Sequence, residues 1–303
     1  MVVEKFDIAD PLRTQAILER YQIRAQKSLG QNFLHDPQVV NQIVATAAID
    51  SQDVILEIGP GIGGLTQQLA KSAAQVYAWE IDQHLIPILQ ENLADFSNIQ
   101  IIPADILQVD LAKFFQEHNL EQRSVKVVAN LPYYITTPIL LRLLQASVPL
   151  TQLVLMMQKE VAQRVCAQPH HREYGALSVL VQAKSIPQIT QIVSRQAFSP
   201  APKVDSAVVN FDLSAPLPVT IADYAQFGHF VQAIFRQKRK TLKNNLIAYL
   251  GKTPTHLQQL QHVYQQLGYP STMRAEQLSL QQIVELQQAI NQEFFPKNKP
   301  FRW

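Results

Sequence analysis

The stretch "ILEIGPGIGGLTQQLA", residues 55–70, decides the fold. Its first four residues read as a buried strand, Leu65 to Ala70 open an apolar helical pattern, and Gly59, Gly61 and Gly63 fill the turn between them. Glycine lets a backbone turn sharply and approach a ligand where a side chain would collide, so a nucleotide-like ligand is implied. Gly59, Gly61 and Gly64 also satisfy G-x-G-x-x-G, and the turn by itself does not separate a dinucleotide from another adenosine-bearing cofactor.

Working outward, short apolar runs alternate with longer helical patterns: VILEI, QVYAWEI, IQII, VKVVA, LVLMM and SAVVNF. That alternation predicts βαβ units and an open parallel sheet covered by helices on both faces. Glu80, Asp105 and Asn130 close the second, third and fourth runs, at near-even intervals from Gly59. Ligands of open parallel sheets bind outside the carboxyl ends of the strands, so these four positions are expected around one crevice. A carboxylate such as Glu80 suits the paired hydroxyls of a ribose, and Asp105 can accept from the exocyclic amine of an adenine.

The fourth run ends in Asn130-Leu131-Pro132-Tyr133, an amide, a proline and an aromatic where a core strand stops. An amino group conjugated to a purine is a poor nucleophile until it pyramidalises. The Asn130 amide oxygen and a main-chain carbonyl of Leu131-Pro132 are two acceptors that can hold its two N–H groups in that geometry. Pro132 stiffens the turn, and Tyr133 or Tyr134 offers a face on which a flipped base can stack. A plain turn would also place Asn and Pro at these positions.

The chain has 303 residues, 47% of them hydrophobic, enough to bury a sizeable core in one large domain or two. The start of the sequence carries early acids and no signal-like apolar run, and no stretch of about 18 apolar residues follows; a cytoplasmic protein without a membrane partner is expected. The single cysteine, Cys166, excludes an internal disulfide framework and a multi-cysteine zinc site. His35 and the pair His170-His171 read as loop residues, and no metal is expected. A net charge of +2 is small, but Arg236, Lys238, Arg239, Lys240 and Lys243 gather in eight residues without an acid. The proline-bearing "SAPLPVT" after Asp212 ends the sheet pattern. Beyond it, Leu257, Leu260, Val263 and Leu267, then Ile283, Leu286 and Ile290, recur at helical spacing, with Ser279 and Gln282 forming a capping box. The expected division is an extension at 1–21, the α/β domain at 22–214 and a helical RNA-binding domain at 219–303.

These residues resemble the ribosomal RNA adenine dimethyltransferases, which use S-adenosylmethionine. The match runs through "LGQNFLHD" (29–36), "EIGPGIGGLT" (57–66), "WEID" (79–82), "AD" (104–105) and "NLPYYI" (130–135). It continues in "MMQKEVAQRV", "YGALSVLVQ", "FSPAPKVDSAVV", "RKTLKNNL" and "RAEQLS". The resemblance implies a Rossmann-like methyltransferase sheet with a small helical C-terminal domain, and is strongest to the enzyme of the bacterial small subunit, which dimethylates two adjacent adenosines near the 3′ end of 16S rRNA. It further implies cofactor contacts at Asn32, Leu34, Gly59, Gly61, Glu80, Asp105 and Asn130, with S-adenosylhomocysteine as product. It implies catalysis at Asn130, Leu131, Pro132 and Tyr133, a base-stacking role for Phe198, and the small ribosomal subunit as partner of a monomeric enzyme. Lys27-Ser28-Leu29 stands where relatives carry a more basic or aromatic stretch.

Three other readings compete. A large-subunit (23S) methyltransferase of the macrolide-resistance type shares the cofactor motifs and the Asn-Leu-Pro-Tyr turn. A dinucleotide-dependent dehydrogenase is allowed by the glycines but has no use for that turn. A non-catalytic ribosome assembly or nucleic-acid-binding factor would keep the fold without needing the intact acids.

Overall fold

The computed structural model describes residues 7–26 and 29–295, so the first six residues of the expected extension and the Lys27-Ser28 departure lie outside the described residues. Among the described residues two compact units emerge: those up to Ala162 with 185–215, and 163–184 with those from Pro216 onward.

The first unit is built on a seven-stranded sheet. Its strands are β1 (Val54–Ile58), β2 (Gln75–Glu80), β3 (Ile99–Pro103), β4 (Val125–Asn130), β5 (Leu150–Gln158), β6 (Ile186–Val193) and β7 (Ser206–Asp212), in the order β3-β2-β1-β4-β5-β7-β6. β1 to β5 pair in parallel, and β1, β2 and β4 are buried along most of their length, as expected of strands covered on both sides, while β3 at the edge is only partly buried. The parallel expectation fails at one edge. β7 lies antiparallel between β5 and β6, reversing the sheet beside the strand that follows the Asn130 turn. β6 was not read from the sequence, because Pro187 and alternating polar residues hide a strand that is exposed on one face.

The helix Pro37–Ala47 starts on an Asp36 cap followed by proline and lays Val40, Ile43 and Ala47 onto Ile55, Val128 and Val154 of the sheet. The Gly64–Ala70 helix joins that cluster through Leu65 and Leu69. Ahead of them, the helix Pro11–Arg20 packs Ile17, with Ile8 beside it, among Phe33, Ile62, Leu85 and Leu89. At the amino end of the strands, Lys126 meets Asp53 at 2.7 Å and also donates to the carbonyls of Ala47 and Ala48 at 3.0 and 2.9 Å. One cation therefore neutralises a buried acid and the carbonyl end of a helix.

In the second unit, Ala176–Gln182, Tyr224–Phe235, Leu242–Leu250, Pro254–Leu267 and Leu280–Phe294 are helices. The last begins as its sequence predicts: Ser279 Oγ accepts from Gln282 N–H at 3.2 Å while Gln282 Oε1 accepts from Ser279 N–H at 2.9 Å. Residues 163–184 join this unit through Tyr174, whose hydroxyl donates to the Leu278 carbonyl at 3.0 Å. Among the described residues no helix is long and apolar enough to cross a membrane.

Replacing Lys126 with methionine leaves the Asp53 charge buried without its partner. Equilibrium urea unfolding of Lys126→Met is expected to show a loss of about 3 kcal/mol.

Candidate functional site

The carboxyl ends of β1 to β4 surround a cavity of about 260 Å³ in the first unit. Asn32, Leu34, Gly59, Gly61, Glu80, Asp105, Asn130, Leu131, Pro132 and Tyr133 all line it. The polar residues of four successive strand ends are thus brought together, with the segment around Asn32 added from a part of the chain whose place no periodicity could give.

The glycine turn carries positive φ at Gly59, Gly61 and Gly63. At Gly61, φ is +63° and a Cβ would stand 3.3 Å from the Phe33 ring, so conformation and space both call for glycine. Gly59 N–H donates to the Trp79 carbonyl at 2.9 Å, tying the turn to the end of β2. Glu80 is buried there, its Oε1 accepting from Asp82 N–H at 2.8 Å and its Oε2 from Gly61 N–H at 3.3 Å. Burial raises the Glu80 carboxyl above its ordinary range, opposed by those two backbone donors. Asp105 spends Oδ1 on Leu107 N–H at 2.9 Å, so it is both a turn residue and a cavity residue.

Glu57, quoted within the glycine motif but given no role from the sequence, also lines the cavity. It is 1% exposed, and its Oε2 has no hydrogen-bond partner. Burial pushes its carboxyl up to about 8, with the Thr66 side chain pulling the other way and the Glu80 charge adding to the rise. A hidden acid with an unused oxygen, beside a second buried acid, fits a cationic or amine-bearing ligand. The only available sequence signal was an acid interrupting the apolar run of β1.

At the Asn130 turn, Leu131 N–H donates to the Met156 carbonyl at 3.1 Å. The Pro132 carbonyl already takes Ile135 N–H at 3.2 Å and Thr136 Oγ1 at 3.0 Å, whereas among the described residues no donor takes the Leu131 carbonyl. Asn130 Nδ2 makes a long contact of 3.5 Å to the Asn32 carbonyl, and among the described residues no donor takes its Oδ1. Tyr133 is fixed by a 2.6 Å hydrogen bond between its hydroxyl and Ser206 Oγ on β7. Tyr134 is 53% exposed and rests against Gly30, where a Cβ would come within 3.0 Å of its ring.

Phe198 corrects the expectation of a stacking residue. It pairs with Leu34 in a two-residue strand, is 2% exposed and belongs to the core cluster with Leu34 and Val208, so its ring has no face to offer. In the second unit, Arg236 to Lys240 lie in the turn between the helices Tyr224–Phe235 and Leu242–Leu250, and Lys243 in the first turn of the latter. Arg236, Arg239 and Lys240 are exposed there. Lys238 is committed to the Arg172 carbonyl and to Glu276 at 3.9 Å, and Lys243 reaches Gln261 at 3.4 Å. His170 and His171 are exposed, and among the described residues no group of His, Cys, Asp or Glu is placed to hold a metal.

A sheet with one strand reversed and polar groups gathered at its strand ends is that of a Rossmann-like methyltransferase; dinucleotide-binding sheets of order 3-2-1-4-5-6 lack the inserted antiparallel strand. The ribosomal RNA adenine dimethylase family model matches residues 22–292, and the chain belongs to that family. It is 46% identical over 284 residues to ribosomal RNA small subunit methyltransferase A of Streptococcus pneumoniae, covering 93% of this chain and 98% of the relative. The protein of the same name from Lactiplantibacillus plantarum is 44% identical over 293 residues, covering 96% and 99%. Among solved structures, a dimethyladenosine transferase from Plasmodium falciparum superposes with a TM-score of 0.74 at 25% identity, covering 86% of this chain and 98% of that one. The 23S rRNA methyltransferase ErmE gives 0.65 at 25% identity, covering 86% and 100%.

Glu57 sets a pH test. In the unfolded chain its carboxyl titrates near 4.5, and in the folded protein near about 8. Between those values the folded state holds a proton that the unfolded state has lost, so this group's contribution to stability falls as pH rises, by at most about 1.4 kcal/mol per unit. Glu57→Gln should flatten that slope in urea unfolding measured across the window without cofactor; an identical slope in the variant would contradict the assignment.

Proposed function

We propose that the protein transfers methyl groups from S-adenosylmethionine to N6 of two adjacent adenosines in the 3′-terminal hairpin of small-subunit (16S) rRNA, giving N6,N6-dimethyladenosine during subunit maturation. The observation that carries this reading is the Asn130 turn, where the Asn130 amide oxygen and the Leu131 carbonyl remain as acceptors at the rim of a cavity lined by buried acids. The names of the relatives at 44–46% identity support the small subunit as substrate.

S-adenosylmethionine supplies a methyl group on a positively charged sulfur. Glu80, already oriented by two backbone donors, is the acid suited to the ribose hydroxyls, and Asp105 is suited to the adenine amine of the cofactor. The Gly59 and Gly61 backbone gives close approach, Asn32 and Leu34 close the wall, and Glu57 adds an unpaired carboxyl oxygen as an acceptor beside the ligand. Around the target base, Asn130 and Leu131 hold the N–H groups so that the nitrogen lone pair leaves the plane of the ring. Pro132 keeps the turn rigid, since its own carbonyl is committed inward. No strong general base is needed, because the N–H becomes acidic once the nitrogen is alkylated. After one transfer a single N–H remains, and one acceptor suffices for the second. Rate enhancement comes chiefly from positioning.

Tyr134, exposed at the rim, is the ring available to stack on a flipped base, a contact worth about 1–3 kcal/mol. Arg236, Arg239 and Lys240 supply phosphate contacts, so RNA affinity should weaken steeply with salt. The likeness to ErmE keeps a large-subunit substrate as the second reading.

Transfer of labelled methyl to purified unmethylated small subunits, with large subunits as control and mass analysis of the nucleosides, tests the proposal. Dimethyladenosine in small-subunit RNA alone is expected. Label confined to the large subunit would favour the second reading, and cofactor binding with no transfer to either would favour a binding factor. In the same assay Asn130→Ala should lose about a hundredfold in transfer, the scale of removing one preorganised hydrogen bond; equal loss of RNA binding would overturn its assigned role.

A further inference from the structure

We propose that Asp82 is a positioning residue that sets the cofactor-side carboxylate and the target-side turn together; the inference rests on the methyltransferase reading above. Nothing in the reaction touches Asp82, yet its side chain is only 4% exposed and it is crowded with donors. Oδ2 accepts from Gln26 Nε2 at 2.9 Å and Gln31 Nε2 at 2.7 Å, while Oδ1 faces His84 N–H at 3.0 Å and His84 Nδ1 at 3.1 Å. Burial would raise the carboxyl, but Gln31 and His84 hold it below its ordinary range. Two of the donors come from more than fifty residues earlier in the chain, where only long-range docking can place them.

The two sides of this hub lead to different parts of the site. On one side, Asp82 N–H donates to Glu80 Oε1 at 2.8 Å, so the position of the hub fixes the rotamer of the acid assigned to the ribose. On the other, Gln31 cannot turn its amide freely, because its Oε1 accepts from Gln26 N–H at 2.8 Å while its Nε2 serves Asp82. Gln31 is flanked by two contacts to the catalytic turn. The Asn32 carbonyl meets Asn130 Nδ2, and Gly30, whose carbonyl accepts from Asn32 Nδ2 at 2.9 Å, supports the Tyr134 ring. One buried carboxylate thus joins β2 to the segment that closes the cavity over Asn130.

The charge and the acceptor count both matter. An asparagine at position 82 keeps the volume but presents its NH₂ either to the two glutamine donors or to the His84 N–H, so donors face donors on one side. Relief by flipping Gln31 would release the Gln26 N–H. The segment would shift, and shifts on the scale of 1 Å at a reacting centre cost up to about a hundredfold in rate.

The test measures S-adenosylhomocysteine affinity by calorimetry, kcat and KM for S-adenosylmethionine and for small subunits, and the melting temperature without ligand. It uses the full-length protein and the variants Asp82→Asn and Gln31→Leu. For Asp82→Asn, KM for S-adenosylmethionine and the S-adenosylhomocysteine Kd should each rise by about tenfold and kcat fall by about tenfold, with KM for the subunit unchanged. Gln31→Leu should move the same quantities in the same direction by a few-fold. A general structural role would lower the melting temperature and the active fraction while leaving KM and Kd unchanged, and that result overturns the proposal. Should Asp82→Asn fail to fold, Gln31→Leu decides alone, unchanged KM and Kd again counting against it. If the unsubstituted protein transfers no methyl, the functional reading falls, and the S-adenosylhomocysteine affinities of the variants still judge whether Asp82 positions the site.

Discussion

Parallel alignment is the constraint on which the rest of this structure depends. Five strands that run the same way must each return by a crossover, so all their carboxyl ends emerge at one edge and whatever polar groups terminate them are gathered there. Glycine 59, Glu80, Asp105 and Asn130 end successive elements, and the sheet alone brings them around one cavity. The two edges differ in chemistry. At the amino end Lys126 neutralises Asp53 and the end of a helix, whereas at the carboxyl end Glu57 is buried with an oxygen unused. The first arrangement adds to stability, and the second leaves an unpaired carboxyl oxygen available to a ligand.

The reversed edge adds a second constraint. Antiparallel β7 lies against β5, and through Ser206 it fixes the Tyr133 hydroxyl, so the turn following β4 is pinned from its far side. Leu131 N–H, bonded to Met156 on β5, pins it from the near side. A turn held at both ends, with the Pro132 carbonyl committed inward, leaves few ways for Asn130 to move. That rigidity suits a reaction that depends on holding a planar amine out of its preferred geometry.

Legibility in the sequence follows the range of the interactions involved. The glycine turn, the strand-end acids and the Ser279 capping box are local patterns, each set within a few residues, and all were visible. The antiparallel edge was not, since Pro187 and the polar alternation of Ile186 to Val193 resemble a loop as much as a strand. The stacking role of Phe198 came from the family resemblance alone, while its pairing with Leu34 across the chain buries it. The Asp82 hub was hidden for the same reason, since its glutamine donors lie far away in sequence and no spacing rule connects them. Carry-over from the family supplied Asn32 and Leu34, which physical reading of the residues alone could not reach.

The most direct test of the account is a crystal structure of the protein with S-adenosylhomocysteine. The account predicts the ligand in the cavity at the ends of β1 to β4, with its ribose hydroxyls hydrogen-bonded to Glu80 and its adenine amine to Asp105. A ligand bound elsewhere, or bound in that cavity with Glu80 and Asp105 both out of hydrogen-bonding reach, would contradict it.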